Sequence, residues 1–133
     1  MLKRNKRFLL MLLTLALPFG GVGCSDGGSV SYDQISGAEA KALMDSESEY
    51  IILDVREQYE YNEGHIPRAI LIPYGEIADR AKKELLDKNQ LIFVYCRSGR
   101  RSKIAAEELV KLGYTNVKEF GGIIDWEYET VKD

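Results

Sequence analysis

Histidine occurs once and cysteine only twice in these 133 residues. The single histidine, His65, offers no ligand set for a metal ion. Basic residues are short as well, 18 Lys and Arg against 21 Asp and Glu. Nucleic-acid binding generally needs a basic face, so this balance argues against such a partner. No internal repeat is visible, and the length suits one domain rather than two. The most apolar run, Phe8 to Leu17, falls short of the roughly 20 residues that a membrane span takes. Hydrophobic residues nonetheless make up 45% of the chain, so a sizeable core is expected and disorder is excluded for most of it.

The apolar run has a context of its own. Lys3, Arg4, Lys6 and Arg7 precede it, and Pro18, Gly20, Gly21 and Gly23 follow it up to Cys24. Basic start, apolar middle and small-residue end form the pattern of an export signal, assigned here to residues 1–23. The approach Gly21-Val22-Gly23-Cys24 resembles a bacterial lipoprotein signal. That resemblance implies cleavage before Cys24, lipidation of its sulfur and amine, and attachment to a membrane of the cell envelope. A signal cut elsewhere with a free Cys24, and an uncleaved N-terminal anchor, are the competing readings. Residues 24–30, with Ser25-Asp26-Gly27-Gly28-Ser29 at their heart, read as a flexible tether. Loss of the four basic residues leaves 14 Lys and Arg against 21 acids, a net −7 on the body. If Cys24 carries lipid, Cys96 has no disulfide partner, and an unpaired cysteine in an exported protein is flagged as reactive.

The folded body is placed at 31–133. Strands are expected at Val30 to Ile35, Tyr50 to Val55, Ala69 to Ile72, Leu91 to Tyr95 and Val117 to Phe120. Helices are expected between them. Ser36 and Glu39 have capping-box spacing ahead of Ala38 to Met44, and Arg56 to Glu63 reads as a short helix stopped by Gly64. Glu76 to Leu86 carries Ile77, Ala81 and Leu85 at helical spacing. Ser102 to Leu112 sets Ile104, Ala105, Leu109 and Leu112 on one side, with Gly113 as its stop. Trp126 is placed in a short C-terminal helix. Alternating strands and helices predict an α/β domain with a largely parallel central sheet flanked by helices. Ligands collect at the carboxyl ends of such strands, where Asp54 and Cys96 both fall.

The chemistry concentrates in Cys96-Arg97-Ser98-Gly99-Arg100-Arg101, between the likeliest central strand and a helix. Successive loop amides can form an anion nest, and the helix N-terminus adds positive potential. Arg97, Arg100 and Arg101 place three permanent charges near the sulfur. Gly99 permits the backbone conformation that a six-residue cradle needs. Together these favour a thiolate, the nucleophilic form of cysteine. A buried inert thiol would explain the apolar strand but not the three arginines.

These residues resemble a known family. Leu53-Asp54-Val55-Arg56-Glu57, Glu60, then Gly64-His65-Ile66-Pro67 with Ala69, resemble the first signature of rhodanese-like domains. Cys96 to Arg101 with Ser102 resembles their active-site loop, and Gly121-Gly122 with Trp126 resembles their closing motif. The match spans about residues 31 to 132; Arg68 stands where the family has glycine. The resemblance implies a sulfurtransferase with Cys96 as nucleophile and no cofactor or metal. Cys96 would take the outer sulfur of an anionic donor such as thiosulfate and release sulfite. The persulfide would then pass its sulfur to cyanide or a thiol, or to a protein partner in a relay. The loop amides with Arg97 and Arg101 would hold the donor, and Ser98, Gly99 and Arg100 complete the substrate-binding loop.

Other marked residues read as supports. Asp54 and Arg56 belong to the structure behind the site, since an acid beside an anion site repels substrate. Glu60 is read as a helix-face acid, and His65 as a turn residue, because a thiolate nucleophile needs no base. Arg100 either reaches the substrate or only raises the potential outside the loop. Cysteine phosphatases and arsenate reductases are the nearest rivals. They place arginine six positions after the cysteine, where this chain has Ser102. A binding module without catalysis is the other rival, and it is disfavoured by the presence of Cys96 with its arginines.

Overall fold

A computed structural model describes residues 31–133. The expectations for Cys24, the signal segment 1–23, the tether 24–30 and the strand start at Val30 lie outside the described residues. Strands and helices alternate as β1 (Asp33–Gln34), α1 (Gly37–Ser46), β2 (Ile51–Asp54), α2 (Gln58–Glu63), β3 (Ile70–Leu71), α3 (Ile77–Glu84), β4 (Ile92–Cys96), α4 (Arg100–Lys111) and β5 (Val117–Gly122). Short 3-10 turns follow β3 at Tyr74–Glu76 and β5 at Ile123–Asp125. The fold is α/β, and its sheet is parallel at every pairing, in the order β1-β5-β4-β2-β3.

β4 lies at the centre, and its five residues are all buried. A strand with helices on both faces has no solvent side, which is why Leu91 to Tyr95 is an unbroken apolar run. Successive side chains still alternate between two cores. Ile92, Val94 and Cys96 join the core with Ile77, Ala81, Ala105 and Leu109 from α3 and α4. Phe93 and Tyr95 join the other, with Ala40 and Met44 from α1 and Phe120 from β5. The edges β1 and β3 are two residues each, too short to template further strands.

Local chemistry sets the element ends. Ser36 Oγ accepts the Glu39 amide at 3.0 Å, one half of the expected capping box, while the Glu39 carboxylate accepts the Ser36 hydroxyl at 3.2 Å in place of the Ser36 amide. α4 begins at Arg100, two residues earlier than expected, because Gly99 serves as its N-cap in the left-handed region at φ 110°. Its buried stripe is therefore Ser102, Ala105, Ala106 and Leu109, and Ile104, expected inside, is 43% exposed. Trp126 follows the last 3-10 turn rather than sitting within a helix, and its ring lies 5.5 Å from Phe120. Arg68 adopts φ 71°, a left-handed conformation that glycine takes without strain, and its guanidinium bonds Tyr50 Oη at 2.8 Å.

The end of β5 closes tightly on the loop after β4. A Cβ at Gly122 would fall 1.9 Å from the carbonyl oxygen of Arg97, so no side chain fits there. Gly122→Ala is expected to lower stability by about 1–3 kcal/mol through this overpacking. Urea denaturation reads it as a lower midpoint; an unchanged midpoint would mean that β5 and the loop separate freely.

Candidate active site

Cys96 ends the central strand, and the chain behind it turns at once into α4. Its side chain is buried, with 1% of the residue exposed, and it is the free cysteine of the described residues. The Gly99 amide donates to Sγ at 3.0 Å, and Ser102 Oγ lies 3.3 Å from Sγ. One amide and one hydroxyl thus meet the sulfur at the N-terminus of a twelve-residue helix, where the backbone dipoles favour negative charge. From outside, the loop is pinned by the Ile124 amide on the Arg97 carbonyl at 3.2 Å.

The wall beneath Tyr95 is a buried charge network. Asp54, with no exposed surface, receives Arg56 Nε at 3.0 and 3.1 Å and Nη2 at 2.6 Å. It also accepts the Arg56 amide at 3.0 Å and the Tyr95 hydroxyl at 2.6 Å. Tyr95 Oη accepts the Ile66 amide at 3.1 Å, and Arg56 Nη2 donates to the Gly64 carbonyl at 2.7 Å. Burial disfavours charge on Arg56, but the bonds to Asp54 outweigh it and its pKa is raised. Burial and the adjacent Asp54 carboxylate push the Tyr95 hydroxyl up, so it stays a donor. Asp54 and Arg56 sit behind the loop as supports, and Tyr95, the residue before Cys96, ties them to it.

The three arginines divide. Arg101, expected to hold the donor, instead meets both Glu60 oxygens, at 2.7 and 2.8 Å. Its pKa is raised by that hydrogen-bonded pair. Glu60 is more than a helix-face acid: its Oε2 also accepts the Glu57 amide at 2.8 Å and completes the capping box of α2. The Arg101 pair, with that amide, holds the Glu60 carboxyl down at about 2. Arg97 and Arg100 are exposed and have no ion-pair partner among the described residues. They line, with Ser98, Arg101, Tyr59 and Tyr74, an open bowl of about 470 Å³. A second hollow of about 550 Å³ shares Arg97, Tyr59 and Glu60 and runs on to Ile124, Trp126 and Tyr128.

His65 stands apart from this centre. Its ring stacks on Tyr61 at 3.7 Å, its Nδ1 lies 2.9 Å from the Tyr61 carbonyl, and its backbone pairs with Val131. Among the described residues no three His, Cys, Asp or Glu side chains are arranged to hold a metal ion. Two contributors escaped the reading of the sequence. Tyr95 looked like one more apolar strand residue. Glu119, buried on β5, bonds Ser102 Oγ and the Gly121 amide at 2.7 Å each. Its signal was present: it stands two positions after Val117, on the strand face that carries the core.

The rhodanese-like domain model matches residues 36–129. The YrkF protein of Bacillus subtilis (strain 168) is 40% identical over 112 residues, covering 84% of this chain and 59% of its own length. The chain thus spans little more than half of that relative. Thiosulfate sulfurtransferase PspE of Escherichia coli (strain K12) is 40% identical over 80 residues, 60% of this chain and 77% of PspE. Among solved structures, a rhodanese with anions from E. coli aligns at a TM-score of 0.60 and 38% identity, over 63% of this chain and 99% of that one.

The Glu60–Arg101 pair makes a pH-dependent contribution to stability. With its carboxyl lowered from 4.5 to about 2, Glu60 contributes fully above 4.5 and loses its contribution as pH falls through about 2. Glu60→Gln should be less stable than the native protein by about 1–3 kcal/mol at neutral pH, less than for a fully buried pair. Denaturation midpoints measured down the acid range should converge; a gap that persists at pH 2 would mean the loss is not electrostatic.

Proposed function

This chain belongs to the rhodanese-like domain family, a family of sulfurtransferases, and from that premise we propose that it moves sulfane sulfur from thiosulfate or a related anionic donor to a thiophilic acceptor through Cys96. The observation that carries this reading is the Cys96 sulfur at the carboxyl end of the central strand, met by the Gly99 amide at 3.0 Å, inside a loop whose outer face presents Arg97 and Arg100.

The steps follow from that arrangement. The Cys96 thiolate attacks the outer sulfur of the donor, forming an S–S bond at Sγ. The donor's own S–S bond breaks, and sulfite leaves with the electron pair. Loop amides stabilise the persulfide anion as backbone donors stabilise an oxyanion. Arg97 and Arg100 draw the dianion into the bowl, while Arg101, bound to Glu60, shapes its wall. An acceptor thiol or cyanide then attacks the outer sulfur and frees Cys96, in two half-reactions. Phosphoryl transfer fits less well, because the position six after Cys96 holds Ser102, whose hydroxyl faces the sulfur with no guanidinium.

A protein or peptide thiol as acceptor is supported by a separate feature. Tyr59 and Ile124 are 65% and 60% exposed along the hollow beside the loop, an apolar border that cyanide would not use. Envelope attachment through a lipidated Cys24 belongs to the same proposal. It rests on the basic, apolar and small-residue order of residues 3 to 24.

Full-length protein incubated with thiosulfate should gain the mass of one sulfur atom, and cyanide should reverse this and yield thiocyanate. Cys96→Ser should show neither; an unmodified native protein in reduced, folded form would exclude thiosulfate as donor. Arg97→Gln and Arg100→Gln should each raise KM for thiosulfate by about fivefold with kcat nearly unchanged, the effect of about 1 kcal/mol of uniform binding. In the producing cells the native protein should incorporate a labelled fatty acid and Cys24→Ser should not. Native protein without label would exclude the lipid anchor.

A further inference from the structure

Ser102 Oγ sits among four groups: Cys96 Sγ at 3.3 Å, Glu119 Oε1 at 2.7 Å, the Gly99 carbonyl at 3.0 Å and the Gly121 carbonyl at 3.3 Å. A hydroxyl has one proton to donate, and both carbonyls can only accept. Donors to Ser102 Oγ can come only from Cys96 or Glu119. Two proton arrangements satisfy the cluster without moving a heavy atom. In one, Cys96 S–H donates to Ser102 Oγ and Ser102 donates to the Glu119 carboxylate. In the other, protonated Glu119 donates to Ser102 Oγ and Ser102 donates to the Cys96 thiolate.

We propose that Glu119 is a positioning residue for the sulfur chemistry, taking the Cys96 proton through the Ser102 hydroxyl as the nucleophile is armed and returning it when the thiol re-forms. As the Cys96 S–H bond breaks, a new O–H bond forms at Ser102 Oγ. The former Ser102 O–H bond breaks as one forms at Glu119 Oε1. No proton is gained or lost overall, and nothing is oxidised or reduced.

The surroundings of Glu119 fit this role. It is 2% exposed, and no cation pairs with it among the described residues. Its neighbour Lys118 is bound to Asp33 on β1, and Gln34, its register partner there, is neutral. From α4, Arg101 is engaged with Glu60, so Ser102 is the group that faces it. From β4 the groups alongside are Val94, its register partner, and Cys96, which it reaches through Ser102. A carboxylate buried without a cation is costly, and a shared proton relieves that cost. The Gly121 amide on Oε1 holds the carboxyl in line.

This inference rests on Cys96 being the nucleophile, but it can be tested without any sulfur donor. Iodoacetamide alkylation of Cys96 in the full-length protein would be followed against pH for the native form, Glu119→Gln, Ser102→Ala and the double variant. A proton acceptor and a bystander carboxylate predict opposite signs. Loss of the acceptor should move the alkylation midpoint up by about one pH unit, making the reaction about tenfold slower near neutrality. The limiting rate at high pH should stay the same. Ser102→Ala should give a similar shift, and the double variant no more than either alone, because the two act in series. A midpoint that falls or stays in Glu119→Gln would overturn the proposal, since a carboxylate that merely repels the thiolate favours alkylation when removed. A second measurement compares the native protein with Glu119→Gln at one neutral pH. Where thiolate absorbance is present, the native infrared spectrum should hold a protonated-carboxyl band that Glu119→Gln lacks, and thiolate without that band would equally overturn the idea. Sulfur transfer from thiosulfate can fail while these results hold, or succeed while they fail.

Discussion

Asp54 is a carboxylate with no access to solvent, placed at the end of β2 beside the central strand, and it persists there only because Arg56 meets it in a two-oxygen grip. The remaining capacity of that carboxylate is taken by the Arg56 amide and the Tyr95 hydroxyl, so the buried charge is both paired and fully bonded. Through Tyr95 and Arg56 the same pair reaches the Ile66 amide and the Gly64 carbonyl. The turn after α2, the end of β2 and the residue before Cys96 are thereby one unit. Removing either partner would leave an uncompensated charge directly behind the loop.

Alternation along β4 gives the loop two walls of different kinds. Tyr95 points to the α1 face and meets the charge network, whereas Cys96 points to the α4 face and meets Ser102 and Glu119. One residue of offset therefore separates the structural carboxylate from the one that shares hydrogen bonds with the sulfur's neighbour. Asp54 is locked by a guanidinium, while Glu119 is buried with no cation paired to it among the described residues. Two carboxylates within one sheet thus receive opposite environments, one gripped by a guanidinium and the other bonded to a hydroxyl and a backbone amide.

Charge around the mouth is partitioned in a similar way. Arg101 is committed to Glu60, which closes α2 against the start of α4. Arg97 and Arg100 stay exposed on a body whose composition is otherwise acidic. The bowl they line holds three guanidinium groups against the carboxylates of Glu57 and Glu60, so cations outnumber acids there while acids outnumber cations over the whole chain. Gly99 and Gly122 supply the remaining constraint. One turns the chain from loop to helix at φ 110°, and the other lets β5 lie against the Arg97 carbonyl.

Periodicity and punctuation were enough to read the strand–helix order, the central strand and the position of Cys96 at its carboxyl end, because burial on both faces writes itself as an apolar run and glycine marks where helices stop. The arginine-rich loop was equally legible, since its chemistry is local in sequence. What lay hidden was pairing across long separations. Arg101 and Glu60 stand 41 residues apart, as do Tyr95 and Asp54, and Ser102 and Glu119 are 17 apart. No local pattern tells a free guanidinium from a paired one, or an exposed acid from one folded against a hydroxyl. Arg68 shows the same limit from the other side: its left-handed backbone is set by the turn around it, not by its own preference. The sequence by itself determined the parallel sheet, the place of Cys96 at the end of its central strand, and the family. The tertiary structure alone decided which charges remain free to act, because that depends on which side chains the register brings within hydrogen-bond reach.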